Sequence, residues 1–219
     1  MEFLDHLRRQ AYGDTSQLAT AGLMSPGFDF VFEDHLLQQY SKRRRPLVIV
    51  DLGSWKGLSA ITMASIAKRN NVPVTIVCVD TWLGAPELWT EGLNDRLVCL
   101  ECKDGYPQVY HTFLRNVLGA NHQDTIVPFP IPTTQAMDVL SHHGVRADMV
   151  CVHATREYEQ CRVDIRGSWE LLSPGGFLFG NDYDHERAPG VVRAVNEFLD
   201  ERGRLGKSLH GVWFVSQDA

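Results

Sequence analysis

Several polar residues stand where apolar runs stop. Asp51 ends Pro46-Leu47-Val48-Ile49-Val50, Asp80 ends Val74-Thr75-Ile76-Val77-Cys78-Val79, His153 ends Ala147-Asp148-Met149-Val150-Cys151-Val152, and Asn181-Asp182 follow Phe177-Leu178-Phe179-Gly180. Short apolar, β-branched runs read as buried strands, and a parallel sheet keeps its ligands beyond the carboxyl ends of its strands. Asp51 runs into Leu52-Gly53-Ser54-Trp55-Lys56-Gly57 and then into a helical pattern from Leu58 to Ala67. Such a strand, glycine turn and helix unit offers backbone N–H groups and a helix N-terminus to a ligand, and a Cβ at Gly53 is expected to obstruct close approach. The spacing is Gly-x-x-x-Gly, which is neither the dinucleotide fingerprint nor the triphosphate loop. Asp80, at the end of the next strand, is placed to accept both ribose hydroxyls, so the two acids suit a nucleoside without a phosphate.

The fourth and fifth strand ends bring a second group of residues to the same edge: His153, Thr155 and Arg156 from one, Asn181, Asp182, Tyr183, Asp184 and His185 from the other. An imidazole suits proton removal from an acidic hydroxyl, a carboxylic acid or an amine. Arg156 with His153 suits recognition of a carboxylate or phosphate through charge-assisted hydrogen bonds. His153, Asn181 and Asp182 also form a candidate metal set, with a donor mixture that fits zinc, iron, nickel or manganese better than magnesium.

The elements that must position these groups alternate along the chain. Helical spacing of Tyr106, Val109, Tyr110, Phe113, Leu114 and Val117 marks a buried face, Thr125–Ile131 reads as a third strand, and helices are expected over Thr133–Leu140, Glu157–Leu172 and Pro189–Leu199. Ser173-Pro174-Gly175-Gly176 reads as the stop of the helix before the fifth strand, and Leu209–Val215 as one or two closing strands. The fold class expected is α/β, a three-layer Rossmann-like doubly wound, parallel-dominated sheet of about seven strands. Residues 1–45 have no strand pattern and read as a helical cap or lid, preceding a ligand-binding domain over residues 46–219. Asp138, Asp164 and Glu170 fall on exposed helix faces in this reading, His142 and His143 at the surface, and Trp213 and Phe214 in the core. The run Lys42-Arg43-Arg44-Arg45 reads as a solvated loop.

Bulk properties exclude several classes. A chain of 219 residues fits one domain, and a net charge of −6 does not favour wrapping nucleic acid or an anionic membrane. No apolar run reaches the length of a membrane span, and the N-terminus lacks the pattern of a signal peptide, so a cytoplasmic protein is expected. The five cysteines read as reduced, packed thiols. Cys99 and Cys102 have metal or redox spacing, but no second pair or histidine cluster accompanies them.

Val-Asp-Leu-Gly-Ser-Trp-Lys-Gly (50–57), Val-Asp-Thr-Trp-Leu-Gly (79–84) and Leu-Leu-Ser-Pro-Gly-Gly-Phe-Leu-Phe-Gly-Asn-Asp-Tyr (171–183) together resemble class I S-adenosylmethionine (SAM) dependent methyltransferases. The nearest branch is the small, metal-assisted O-methyltransferases of sugars and natural products. The resemblance runs from about Pro46 to the C-terminus and implies that the last strand is antiparallel. It implies SAM as cofactor, with Gly53, Ser54 and Gly57 on the methionine side, Asp51 holding the turn or the amino group, and Asp80 on the ribose, flanked by Thr81 and Trp82. Trp82 or Trp89 would line an apolar pocket. His153, Asp182 and Arg156 are the candidate catalytic residues on their own chemistry, with Tyr183 and Asn181 beside a small-molecule acceptor; the resemblance places a substrate-covering lid in the cap, which makes Tyr12, Phe28 and Phe30 candidates for acceptor contact. The branch carries an acid at the end of strand four and Asp-Asp-Tyr after strand five. Here those positions read His153 and Asn181-Asp182-Tyr183, so one of three carboxylate ligands remains and a divalent metal is doubtful. The expected activity is methyl transfer to oxygen or nitrogen without the usual magnesium site, with a non-catalytic or repurposed binding protein as the alternative. A homodimer is compatible with the sequence.

Overall fold

The computed structural model describes residues 2–11, 25, 27–90 and 99–217. Two helices, α1 (Glu2–Ala11) and α2 (Phe28–Arg43), precede β1 (Leu47–Leu52), α3 (Leu58–Arg69) and β2 (Val74–Val79). Then come α4 (Glu87–Thr90), α5 (Val109–Gly119), β3 (Ile126–Phe129), α6 (Thr133–His142), β4 (Ala147–Val152) and α7 (Tyr158–Leu171). The chain closes with β5 (Leu172–Gly180), α8 (Pro189–Glu201), β6 (Lys207–Leu209) and β7 (Val212–Ser216). One sheet holds the strands in the order β3-β2-β1-β4-β5-β7-β6. The first five pair in parallel, and β7 runs antiparallel to both of its neighbours.

Alternation along the strands divides the core into two layers. Ile49, Ile76, Cys78, Met149, Cys151, Phe177 and Phe179 pack with α2, α3 and α5 on one face, while Val50, Leu52, Val77, Val79, Val150, Val152 and Leu178 pack with α6, α7 and α8 on the other. Strands β1, β2 and β4 are buried on both faces, which is why their sequences are continuous apolar runs rather than alternating ones. The first helix lies against the β3 edge, with Phe3 edge-on to Phe129. Helix α2 lays Phe28 and Phe32 over Phe179.

Four expectations are corrected. The Ser173-Pro174-Gly175-Gly176 stretch belongs to β5, because α7 ends at Leu171 and Leu172 is already extended (φ −61°, ψ 144°). Asp164 is buried, accepting hydrogen bonds from Thr133 Oγ1 (2.6 Å) and Gln160 Nε2 (2.9 Å), and burial pushes its carboxyl pKa up. The basic run is not merely solvated: Arg45 grips the buried Asp148 with two bonds (2.8 and 2.9 Å), and Arg43 approaches the same carboxylate at 3.1 Å. Of the five cysteines, all free, Cys99 and Cys102 are exposed rather than packed. Among the described residues no helix is long and apolar enough to cross a membrane.

Candidate functional site

The β1–α3 turn is braced from both neighbouring strands. Gly53 (φ +89°) donates to Val79 O of β2 (2.8 Å), and Gly57 (φ +93°) donates to Ser54 O (2.8 Å) before α3 begins. A Cβ built on Gly53 would lie 2.3 Å from the Ala154 Cα. The glycine is therefore demanded first by the backbone leaving β4, a neighbour the sequence did not reveal.

Asp51 is fully buried at the end of β1 and braces the turn from below. Its Oδ2 accepts Ser54 Oγ and Ser59 Oγ, each at 2.8 Å, and its Oδ1 meets His153 Nε2 at 2.8 Å. Parallel register sets Asp51 opposite Cys151, so His153, two residues on, points to the same side of the sheet. Burial would lower the His153 pKa, but the Asp51 carboxylate and the Cys151 side chain outweigh it, and the imidazole sits well above its ordinary value of 6.5. Burial pushes the Cys151 thiol up to about 11.

Asp80 faces the same turn from β2. Its Oδ2 accepts Trp55 N–H (2.8 Å) and its Oδ1 accepts Trp82 N–H (2.7 Å), while the Trp82 indole donates to Trp55 O (2.6 Å). Trp55 is thus held through both its N–H and its carbonyl. Burial raises the Asp80 pKa, partly countered by those two N–H groups. A carboxylate oxygen holding one donor retains lone-pair capacity for another, so both oxygens can still accept hydroxyls. On the α5 side Lys56 pairs with Glu101, and Asn116 Nδ2 donates to Lys56 O (2.8 Å).

Beyond β4 and β5 the polar residues pair with one another. Arg156 forks onto Asp182 through Nη2 (2.9 Å) and Nε (3.2 Å). Asn181 is buried, and its Oδ1 has no partner among the described residues. Tyr183 turns toward α8, where its hydroxyl donates to Asn196 Oδ1 (2.8 Å), beside a hollow also lined by Lys207 and Trp213. Asp184 Oδ1 accepts the N–H groups of Glu186 (2.9 Å) and Arg187 (3.0 Å), and His185 is exposed.

The sequence-predicted residues therefore fall into groups. Asp51, Gly53, Ser54, Gly57, Asp80 and His153 gather around one turn, and Arg156, Asn181 and Asp182 stand at the adjoining strand ends. Trp82 is buried against Tyr110 and Phe113, whereas Thr81 and Trp89 are exposed. Phe28 is fully buried against Phe32 and Phe179, Phe30 is exposed, and Tyr12 lies outside the described residues. Sequence reasoning missed Ser59 and Lys56; the helical spacing of Ser59 at the foot of α3 was the available signal.

Two donor sets invite a metal test. Ligand atoms of Asp51, Cys151 and His153 lie within 4.8 Å of one another. The Asp51 oxygens, however, already hold two hydroxyls and an imidazole, and a metal would need both the thiol and the imidazole deprotonated. In the other set, His153, Asn181 and Asp182, the imidazole is bonded to Asp51 and the carboxylate to a guanidinium. A hard dication needs anionic oxygens free of competing cations.

Comparisons with known proteins bear on this geometry. A family model described as a methyltransferase domain matches residues 50–183. The structure of the O-methyltransferase NovP is similar over 100% of this chain and 99% of its own, with 15% identity and a TM-score of 0.65. CalS11, a calicheamicin methyltransferase, is similar over 86% of this chain and 78% of its own, at 19% identity and a TM-score of 0.61. An O-methyltransferase from Bacillus cereus in complex with SAH, the demethylated form of SAM, is similar over 99% of this chain and 90% of its own, at 14% identity and a TM-score of 0.55. Comparison with curated protein sequences gave no match.

Proposed function

The chain belongs to the family of methyltransferase domains whose model spans residues 50–183, and from that premise we propose that it transfers a methyl group from SAM to oxygen or nitrogen of a small natural-product or sugar-like acceptor without a magnesium site. The observation that carries the cofactor assignment is Asp80, a carboxylate fixed by two peptide N–H groups (2.8 and 2.7 Å) with lone pairs left over, facing the glycine turn. When bound, SAM supplies an electrophilic methyl on a sulfonium. The protein's part is to hold that methyl in line with a nucleophile in a water-poor site.

In this reading Asp80 takes the ribose hydroxyls, Thr81 and Trp82 flank it, and Gly53, Ser54 and Gly57 line the methionine side. Asp51 serves the turn rather than the ligand, since Ser54, Ser59 and His153 occupy it. Arg156, Asn181 and Asp182 face the acceptor. Tyr183 is bonded to Asn196 of α8 and Phe28 is buried against Phe32 and Phe179, so neither is assigned to the acceptor in this reading. The absence of a magnesium role is supported by Arg156 on Asp182: a guanidinium occupies the one carboxylate that remains of the expected set. The acceptor class is supported by likeness to CalS11, a calicheamicin methyltransferase. A cytoplasmic protein without nucleic-acid or membrane partners is consistent with the net charge of −6.

Titration calorimetry with SAM and SAH tests the reading directly. Binding of both, abolished by Asp80→Ala, is expected; a protein that binds neither would refute it.

A further inference from the structure

Two of the five cysteines are exposed, Cys99 and Cys102, and between them lies Glu101, which braces the glycine turn from the α5 side through Lys56. We propose that Cys99 and Cys102 form a thiol–disulfide exchange site for small disulfides of the glutathione class, and that closing their ring staples this brace in place. The thiol chemistry is independent of the methyltransferase reading above; its effect on cofactor affinity rests on that reading.

The placement of the pair comes from the two residues between them. Leu100 is fully buried and packs against Gly84, where a built Cβ would lie 2.5 Å from its Cδ2. Glu101 is committed to the protein as well, pairing with Lys56, accepting the Thr112 hydroxyl and standing 3.9 Å from Arg115. The outer two residues are left to solvent. The chain is helical at Cys99 and Leu100 and turns at Glu101, which takes a left-handed φ of +53°. A turn holds its first and fourth Cα atoms within about 7 Å, and a disulfide spans about 4.4–6.8 Å. Cys99 and Cys102 therefore stand at a spacing that a disulfide can close. The backbone around them is pinned, since Gln108 N–H donates to Leu100 O (3.0 Å) and Lys103 and Tyr106 exchange two bonds of 2.9 Å.

Cys78, Cys151 and Cys161 are buried, and exchange needs access to the sulfur. In the step, the thiolate of one exposed cysteine attacks a sulfur of the small disulfide, whose S–S bond breaks and releases one glutathione. The second cysteine attacks the mixed disulfide and releases the other. The protein is oxidised by two electrons, the small disulfide is reduced, and the two thiol protons end on the departing glutathiones. A ring across Leu100 and Glu101 removes conformations in which Glu101 leaves Lys56. The turn is then held before its ligand arrives, and preorganisation of that kind raises affinity.

The test treats the reduced protein with oxidised glutathione and measures its intact mass, then its SAH affinity by calorimetry. A mass lower by two hydrogen atoms is expected, with peptide mapping placing the bond between Cys99 and Cys102. SAH should bind the oxidised form about threefold tighter or more, the scale of one long side chain fixed in advance, and dithiothreitol should reverse the gain. Cys102→Ser cannot close the ring, so its SAH affinity should not respond to the oxidant. A lasting glutathione adduct on the wild type, or a protein that keeps both thiols free, would overturn the exchange site. Equal affinities of the oxidised and reduced forms would overturn the stapling. SAH binding to neither form would instead sink the methyltransferase reading, with the mass still deciding the thiol site.

Discussion

Nε2 of His153 stands 2.8 Å from Oδ1 of Asp51, joining the exit of β4 to the strand that carries the glycine turn. Burial lowers the imidazole pKa, but the Asp51 carboxylate beside it outweighs burial and holds it well above 6.5 in the folded protein. A group raised on folding contributes its full stabilisation below the unfolded pKa and loses it as pH rises through the folded one. His153→Gln should therefore cost about 3 kcal/mol in mildly acidic solution, as removal of one partner from a buried pair does. Thermal melts of the two proteins should draw closer as pH is raised beyond the folded value. A gap that widens with pH would show that the ring is neutral.

Asp80→Ala removes the acceptor for two peptide N–H groups as well as the proposed ribose contact. Leaving those donors unpaired should cost about 1–3 kcal/mol, visible as a lower melting temperature with an unchanged circular dichroism spectrum. SAH affinity should fall about a hundredfold or more, the loss of two hydrogen bonds to a charged group. Unchanged affinity by calorimetry would remove Asp80 from the cofactor site.

Gly53→Ala should be far more damaging than an exposed glycine substitution. It forces a side chain into φ +89° and drives a Cβ to within 2.3 Å of Ala154 Cα. The clash is with backbone, so adding Ala154→Gly should restore neither folding nor SAH binding. Rescue by that second change, read by melting temperature, would mean that side-chain crowding sets the requirement.

Asp148 anchors the opposite end of the sheet, where Arg43 and Arg45 converge on it and Val48 N–H donates to it (2.9 Å). Asp148→Ala should cost several kcal/mol (about 3, as for other broken buried pairs), and more than Arg45→Ala, which leaves Arg43 in place. Denaturant melts give the ranking. SAH affinity of the folded fraction should not change, since β1 and β4 begin there and the ligand edge is where they end.

The strands, their order of appearance and the acids at their ends were legible because parallel strands buried on both faces leave continuous apolar runs. The closing strand was legible from its apolar run, whereas its antiparallel direction was implied by the family resemblance and not by any local signal. Pairings between residues far apart in sequence were not. Nothing local announces that Gly53 must clear Ala154, that His153 reaches Asp51, or that Arg43 and Arg45 close on Asp148. Asp164 shows the same limit, since helical periodicity puts it on a face but cannot say that Thr133 will cover that face. Pro174 and Gly175, usual breakers, sit in a strand because the helix had ended before them.

The proposed absence of a magnesium role can be tested through the Arg156–Asp182 pair. A guanidinium already neutralises Asp182, and His153 is committed to Asp51, so magnesium would have to displace one cation and approach another. On the proposed metal-free reading, prolonged treatment with a chelator should leave turnover within about twofold, and added magnesium should not raise it. The site should be convertible. Removing the guanidinium with Arg156→Ala and adding Asn181→Asp places two unpaired carboxylates side by side, and manganese titrated into that variant should bind measurably by electron paramagnetic resonance, while the wild type should not. Loss of activity on chelation of the wild type, regained with a divalent ion, would overturn the metal-free account.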